Sequence, residues 1–264
     1  PNSPEWGIFF LGCILSGVIA VPIDVRSDKA FLSHVQRQVK AKVVFQTKYR
    51  PRYLSVKTFF AEDLDILIAN FQSKNPKLPE IKEEDIVELL YTSGTTAEPK
   101  GVILTHKNIM SNVEAERKIF EVNEEYRLLS VLPLSHIFEQ TLGFFLPLAI
   151  GATIVYLRTL KPSTIVETMK TEKISVVLVV PRILLSLEDG IVNEFRRKKL
   201  YTLLKALTSA AAAMPFSLRK YVFLPIHLRL GNGFKFFGVG GAPFDKQSEL
   251  FWHRLGFLVL QGYG

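Results

Sequence analysis

The chain has 264 residues, with 33 Lys and Arg against 25 Asp and Glu, a formal net charge of +8 and 48% hydrophobic residues. This composition excludes disorder over the whole chain and suffices for one large domain or two small ones with their own cores. One cysteine, Cys13, excludes an intrachain disulfide framework, and the five scattered histidines exclude a structural zinc site. The charge excess is local, because residues 194–235 hold nine basic residues and one acid while the rest is neutral.

Two apolar runs, 8–23 and 141–157, contain no charged residue for more than a dozen positions. Both are shorter than the roughly 20 residues that a membrane-spanning helix needs, and both contain internal Gly and Pro. The first run also lacks the basic region that precedes the apolar part of a signal peptide. Each run therefore predicts a buried helix that stops at a glycine, Gly17 or Gly151, and is followed by a buried strand.

Short runs rich in β-branched and apolar residues alternate with helical patterns along the chain. The predicted strands are 18–21, 42–46, 88–91, 128–132, 153–157, 176–180, 234–239 and 257–260. Among the helices, Ser27 precedes a pattern with one apolar face, and Thr164 with Glu167 is typical of a capping box. Strands that alternate with helices predict an α/β fold with a mainly parallel sheet and flanking helices. A polar stretch, 121–127, predicts a boundary between a first lobe, 1–124, and a second lobe, 125–264.

The polar loop 91–101, Tyr-Thr-Ser-Gly-Thr-Thr-Ala-Glu-Pro-Lys-Gly, indicates phosphate binding. Its hydroxyl groups and backbone N–H groups can converge on one small concavity, and Lys100 supplies a positive charge. It is not a Walker A loop, because no Gly precedes Lys100 and Gly101 follows it in place of Ser or Thr. A polar surface turn remains the alternative on composition alone.

This loop resembles the signature motif of the AMP-forming acyl-CoA synthetases and their adenylate-forming relatives. Three further stretches resemble motifs of the same family in the same order: Pro133–Glu139, in its long-chain fatty acid form, Gly240–Pro243, and the final Gln261–Gly264. The early segments around Trp6 and 17–24 fit as well, so the resemblance covers nearly the whole chain.

The resemblance implies an α/β fold of two stacked lobes of mainly parallel sheet with flanking helices. It also implies a two-step reaction, in which a fatty acid and ATP form an acyl adenylate and coenzyme A then takes the acyl group. ATP, Mg²⁺ and coenzyme A would be the cofactor and co-substrates. Catalysis would rest on positioning and on neutralising phosphate charge.

The resemblance also assigns roles to individual residues. The catalytic residues would be Lys100 and His136, and Thr95 would contact magnesium. The nucleotide and acyl sites would use Thr92, Ser93, Gly94, Thr95, Thr96, Lys100, Gly240, Gly241, Ala242, Pro243, Gly262, Tyr263 and Gly264.

Several alternatives stand beside these roles. His136 and Glu139 are at helical spacing and could instead form a surface pair or a metal pair. Residues 238–243 are similar to a dinucleotide fingerprint, but Pro243 takes the place of its third glycine. No G-x-S-x-G elbow is present, so a serine hydrolase has no motif to support it.

The family pattern continues beyond Gly264 with Thr-Glu, a ribose-binding aspartate and a C-terminal domain with a catalytic lysine. We therefore expect this chain to be the N-terminal part of a long-chain fatty acid–CoA ligase, with little activity alone and some self-association. Two alternatives are a related enzyme that passes the acyl group to a carrier protein, and a non-catalytic nucleotide- or acyl-binding module.

The basic segment 194–235 mixes Lys and Arg with aromatic and aliphatic residues just ahead of the Gly240 motif. Nucleic-acid binding is admissible from charge alone, but the motifs favour peripheral contact with an anionic membrane by a cytoplasmic protein. A solvated basic helix with ordinary core packing is the alternative.

Overall fold

The computed structural model describes residues 2–71, 77–92, 99–120, 122–157 and 159–262. The chain divides into two compact units. The first unit comprises residues 1–115 and 133–137, and the second comprises residues 116–132 and 138–264. The lobe boundary that the sequence places after residue 124 stays a prediction.

Up to residue 119 the chain forms two small sheets with helices around them. The parallel pair β1–β2 and the antiparallel pair β3–β4 are separate two-stranded sheets. The elements are α1 (Pro4–Leu15), α2 (Lys29–Val39), β1 (Val43–Gln46), β2 (Lys57–Phe60), a 3₁₀ turn (Ala61–Asp63), α3 (Leu64–Ala69), β3 (Ile86–Thr92), β4 (Lys100–Thr105) and α4 (His106–Ile119).

From residue 127 onward the chain builds a parallel five-stranded sheet, with strand order β6-β5-β7-β8-β9. The elements are β5 (Arg127–Ser130), α5 (Ile137–Gln140), a π-helical turn (Thr141–Phe145), α6 (Leu146–Ile150), β6 (Thr153–Tyr156), α7 (Pro162–Thr171), β7 (Val176–Val179), α8 (Pro181–Arg197), α9 (Tyr201–Ala211), α10 (Phe216–Val222), α11 (Leu224–Leu230), β8 (Phe236–Val239), α12 (Lys246–Arg254) and β9 (Leu258–Gln261). The predicted α/β class, with a parallel sheet and flanking helices, is confirmed.

The core of the second unit lies on both faces of this sheet. Leu129, Val177 and Phe237 come from three adjacent strands and are fully buried, as is Trp252 on α12. Strands that are covered on both faces by helices read as continuous apolar runs, which is why β7 could be predicted from Val-Val-Leu-Val. In the described part of the chain, no helix is long and apolar enough to cross a membrane.

The prediction for the first apolar run is only partly correct. Helix α1 forms and Gly17 follows it with a φ of 62°, but only one isolated bridge, from Ala20 to Glu88, replaces the predicted strand. Val18 and Ile19 are exposed rather than buried. Pro22, two residues after Ala20, has no N–H group with which to continue the hydrogen bonds of a strand.

Both predicted helix starts are displaced. Helix α2 is capped by Asp28 rather than Ser27, since the Asp28 carboxylate accepts a hydrogen bond from the N–H of Phe31. The capping box at Thr164 is wrong, because α7 already begins at Pro162 and Thr164 lies inside it. Proline is well suited to the first helical position, where its missing N–H would have no partner.

Strand β3 also differs from the expectation of a parallel sheet, because it pairs with β4 in antiparallel fashion. Only residues 93–99 connect the two strands. A parallel crossover needs about a dozen residues or more, so this connection permits only a hairpin-like return.

Candidate functional site

The strands β3 and β4 bring the two ends of the predicted phosphate loop opposite each other. In the antiparallel register Thr92 is paired with Lys100, and Tyr91 with Gly101. The Lys100 side chain is exposed at the start of β4, where it is available to an anionic ligand. Ser93, Gly94, Thr95 and Thr96 lie outside the described residues, so their roles stay predictions.

The base of this loop is held by the tyrosine that opens the motif. The Tyr91 hydroxyl donates a hydrogen bond to Gln38 on α2, with an O···O distance of 2.8 Å, and Phe31 contacts the Tyr91 ring edge-on. Partial burial raises the pKa of Tyr91. A side chain at Gly101 would place its Cβ 3.3 Å from the Tyr91 ring, so the glycine allows close packing there. The strand ends that carry the loop are therefore anchored on α2.

His136 lies in the turn before α5 and belongs to the first unit. Its backbone N–H donates to the Pro133 carbonyl, and its side chain is 62% exposed. The Nε2 atom lies 3.9 Å from the Oδ2 atom of Asp24. The predicted catalytic histidine is thus accessible to a ligand and stands beside a carboxylate.

Asp24 was not singled out from the sequence, where nothing in its local pattern marks it. Its carboxylate accepts hydrogen bonds from the backbone N–H and guanidinium of Arg26, at 2.7 to 3.0 Å. The side-chain hydrogen bond from Arg26 is the main cause that lowers the pKa of Asp24, and the charge of His136 adds to it.

The Gly240–Pro243 motif follows β8 in a tight connection to α12. The Gly240 N–H donates to the Val179 carbonyl at 3.2 Å, and Gly241 has a φ of 77°, which favours glycine. A Cβ at Gly240 would stand 2.8 Å from the Phe138 ring. Only glycine therefore lets the backbone approach this ring, while Ala242 and Pro243 are exposed.

The final motif begins at the neighbouring strand end. The Gly262 N–H donates to the Val239 carbonyl at 2.8 Å, which joins the end of β9 to the end of β8. Tyr263 and Gly264 lie outside the described residues, and their roles stay predictions. The structure thus brings Gly240–Pro243 and Gly262 together at the carboxyl edge of a parallel sheet, the edge at which α/β proteins bind ligands.

An apolar cavity opens at this edge of the second unit. Its volume is about 660 Å³ with its open mouth included. Phe138, Val239 and Gly262 lie in its wall, next to the motif residues. The remaining lining comes mainly from the π-helical turn, α6 and the sheet, through Phe120, Val122, Tyr126, Leu128, Leu142, Leu146, Pro147, Ile150, Ala152, Val176, Leu178, Phe236, Gly238, Leu260 and Gln261.

Glu139 is buried directly after the cavity residue Phe138. Its carboxyl accepts hydrogen bonds from the Ser130 hydroxyl and the Leu132 N–H, and Gly143 leaves room for it. Burial raises the pKa of Glu139 to about 8, against the effect of these hydrogen bonds. Because Glu139 is fully buried, its alternative role in a surface pair with His136 is wrong.

A second carboxyl of the same unit is also perturbed. Burial raises the pKa of Glu116 to about 7, although the Thr141 side chain forms a hydrogen bond with it. Within the described ranges, no group of three or more His, Cys, Asp and Glu side chains could hold a metal ion. The carboxyls therefore belong to a buried polar layer beside the π-helical turn.

The family comparison covers the whole chain. The profile of the family described as AMP-binding enzyme matches residues 1–264. The long-chain-fatty-acid–CoA ligase 5 of Mus musculus is 28% identical over 309 aligned residues, which cover 100% of this chain and 44% of that protein. The long-chain-fatty-acid–CoA ligase ACSBG2 of Homo sapiens is 30% identical over 211 residues, 69% of this chain and 32% of that protein.

Solved structures show the same fold. The inhibitor-bound N-terminal domain of FACL13 from Mycobacterium tuberculosis superposes with a TM-score of 0.76 at 22% identity, over 100% of this chain and 61% of that one. ATP-bound MatB from Rhodopseudomonas palustris gives a TM-score of 0.75 at 20% identity, over 100% and 48%. The chain spans less than half the length of the two curated relatives above. The profile match over the entire chain shows that it belongs to the AMP-binding enzyme family, an adenylate-forming family of acyl-CoA ligases.

Proposed function

We propose that the chain is part of a long-chain fatty acid–CoA ligase, which joins a fatty acid to AMP from ATP and then transfers the acyl group to coenzyme A. The observation that carries this proposal is the apolar cavity that opens beside Gly240 and Gly262. A hydrocarbon chain in the cavity would leave its carboxylate at the sheet edge that carries the nucleotide motifs. The names of the mouse and human relatives agree with this substrate class.

The residues of this chain would act by positioning and by charge. Lys100 would neutralise phosphate charge, and His136, beside Asp24, would donate a hydrogen bond near the reacting carboxylate and α-phosphate. Gly240 would let the nucleotide approach the backbone. The negative charge of the triphosphate repels the attacking carboxylate, so neutralising this charge before pyrophosphate leaves should be the largest contribution.

Magnesium would enter with ATP. Mg²⁺ usually keeps several waters and takes one or two protein oxygens together with substrate phosphates. By the family resemblance, the Thr95 hydroxyl would be one of these protein oxygens. The chemistry of the ion would be to neutralise phosphate oxygens.

Calorimetry with acyl-AMP analogues of increasing chain length tests the acyl site. Each methylene that enters the cavity should strengthen binding by about fourfold until the cavity is full. Leu142→Trp fills the cavity and should remove the gain for long chains, whereas Leu148→Trp on exposed α6 surface should not. Equal affinity for acetyl and long-chain analogues would refute the acyl assignment.

Related acids form the second candidate. A 4-coumarate–CoA ligase-like protein of Arabidopsis thaliana is 27% identical over 98% of this chain and 50% of its own length. An aromatic acid would also bury its ring in the cavity, so a coumaroyl adenylate analogue belongs in the same titration. Offering both coenzyme A and a carrier protein to the complete enzyme distinguishes the two possible thiol acceptors. A non-catalytic module with a collapsed pocket would bind no analogue.

We further propose that the 264-residue chain alone catalyses little ATP–pyrophosphate exchange. The family places a further acidic residue and a lysine aimed at the α-phosphate in later parts of the protein. Robust fatty-acid-dependent exchange by this polypeptide would contradict the proposal. The proposal includes peripheral contact of residues 194–235 with an anionic membrane, because long-chain acids partition into lipid. It also includes a cytoplasmic location and self-association of the chain.

A further inference from the structure

The charge excess of the chain lies almost entirely at its surface. Of the nine basic residues in 194–235, eight are exposed. The exception is Arg219, which is buried and donates hydrogen bonds to the carbonyls of Met214 and His253. Arg219 therefore stabilises the fold and is not available to a partner. The eight that remain are Arg196, Arg197, Lys198, Lys199, Lys205, Lys220, Arg229 and Lys235.

An exposed apolar stripe runs along α10 and α11 in the same segment. Leu218, Tyr221, Leu224 and Leu228 are 47%, 64%, 41% and 48% exposed. Leu218 and Tyr221 are three residues apart on α10, and Leu224 and Leu228 are four residues apart on α11, so each pair lies on one face of its own helix. The opposite face, with Ile226, is buried in the core. The stripe is thus surplus to the packing of the second unit, and we call these four residues the apolar stripe.

The apolar stripe and the basic residues are contiguous. Arg229 follows Leu228 and forms an ion pair with Glu194, near the end of α8. Glu194 also pairs with Lys198, so the one acid of the segment is already engaged. On α10, the Lys220 ammonium lies 5.1 Å from the Tyr221 ring centroid. Basic side chains therefore lie beside the stripe on both helices.

We propose that the apolar stripe and its basic flanks form a docking surface for an anionic lipid bilayer. Aliphatic and tyrosine side chains would enter the boundary between headgroups and acyl chains, and Lys and Arg would contact the lipid phosphates. This surface would make the membrane contact proposed above, and its biological reason rests on that proposed function. The residues of the surface are assigned from their exposure and charge alone.

Lipid fits this surface better than nucleic acid does. Phosphate contacts by Lys and Arg supply most of the affinity in non-specific nucleic-acid binding, and such binding needs no exposed aliphatic side chains. A bilayer uses both features, since apolar groups leave water while cations face the anionic headgroups. The stripe therefore supplies the test that separates the two partners.

Sedimentation with lipid vesicles measures the docking directly. The 264-residue chain should bind vesicles of phosphatidylcholine with phosphatidylglycerol, and bind pure phosphatidylcholine vesicles much more weakly. The variant Arg196→Gln/Arg197→Gln/Lys199→Gln should lower the affinity by about 100-fold. Its matched control, Lys118→Gln/Lys161→Gln/Lys246→Gln, removes the same charge from exposed positions elsewhere and should have little effect.

A second variant tests the apolar part. Leu218→Ser/Leu228→Ser changes exposed side chains only, and it should weaken vesicle binding. The loss relative to the parent chain should be larger at high salt, where the charge contribution is screened. Binding that is unchanged in both variants would overturn the proposal. Binding to duplex DNA that is as strong as binding to the vesicles, and that is unchanged in the Leu218→Ser/Leu228→Ser variant, would also overturn the proposal. The surface would then be one for nucleic acid. Titration with the acyl-AMP analogue should be unaffected by these changes, so its failure would count against the proposed chemistry alone.

Discussion

The buried carboxyl of Glu139 makes the stability of the second unit depend on pH, and Glu139→Gln should remove the contribution of Glu139 to that dependence. The pKa of Glu139 is about 8 in the folded chain, against 4.5 for an ordinary glutamate. Between these two pH values, Glu139 is protonated in the folded chain and ionised in the unfolded chain. Below pH 4.5 both states carry the proton and there is no penalty. Between 4.5 and 8 the folded state binds more protons, so stability falls as pH rises, and above 8 it levels off.

The expected size follows from the shift. The difference of 3.5 units between the two pKa values, 8 and 4.5, corresponds to a loss of about 5 kcal/mol across the window. Glutamine has nearly the same shape and an oxygen that can accept the hydrogen bonds of Ser130 and Leu132. The variant should therefore match the parent near pH 4 and become progressively more stable than the parent toward pH 8.

Urea unfolding at several pH values measures this difference. Trp252 is fully buried in the second unit and reports its unfolding once Trp6 is replaced by phenylalanine in the background. Glu116 titrates in the same window, but its contribution is common to parent and variant and cancels in their difference. Glu167→Gln, at an exposed position on α7, is the matched control. Parallel stability curves for parent and Glu139→Gln from pH 5 to 8 would refute the reasoning.

Three further changes have defined outcomes. Gly240→Ala should destabilise the second unit by about 2 kcal/mol through its contact with the Phe138 ring, and Phe138→Leu should recover part of the loss in a double-mutant cycle; additive effects would deny the contact. Arg219→Met should cost about 3 kcal/mol in urea unfolding, whereas Lys220→Met should change little, and a neutral Arg219→Met would mean that the buried guanidinium is dispensable. Lys100→Ala should weaken ATP binding about tenfold in calorimetry with unchanged stability, and unaltered affinity would remove Lys100 from the site.

Much of the fold could be predicted because its signals are local. The strands β1, β6 and β7 are short apolar runs, and each was expected within a residue of where it lies. The break at Gly151 was also expected, since this glycine has a φ of 73° at the end of α6. Errors came where two local signals competed, as when Pro162 began α7 ahead of the Thr164 box.

Some relations among the site residues could be predicted from the sequence, and others could not. The family resemblance was enough to predict that Gly240–Pro243 and Gly262 share a site, and the pairing of β8 with β9 brings them to one sheet edge. No local pattern indicates that Asp24 stands beside His136, more than a hundred positions away in the sequence. Likewise, the helical spacing of His136 and Glu139 suggested a pair, but one side chain is exposed and the other is buried.

The charge excess illustrates why the rest required the folded chain. Counting along the chain locates the basic residues in 194–235, and the resemblance of its motifs indicates an adenylate-forming enzyme. Only the tertiary structure separates the buried Arg219 from eight exposed cations and aligns four apolar side chains beside them. Helical period and capping depend on residues a few positions apart, whereas burial and the pKa of a carboxyl depend on elements that meet only when the chain folds.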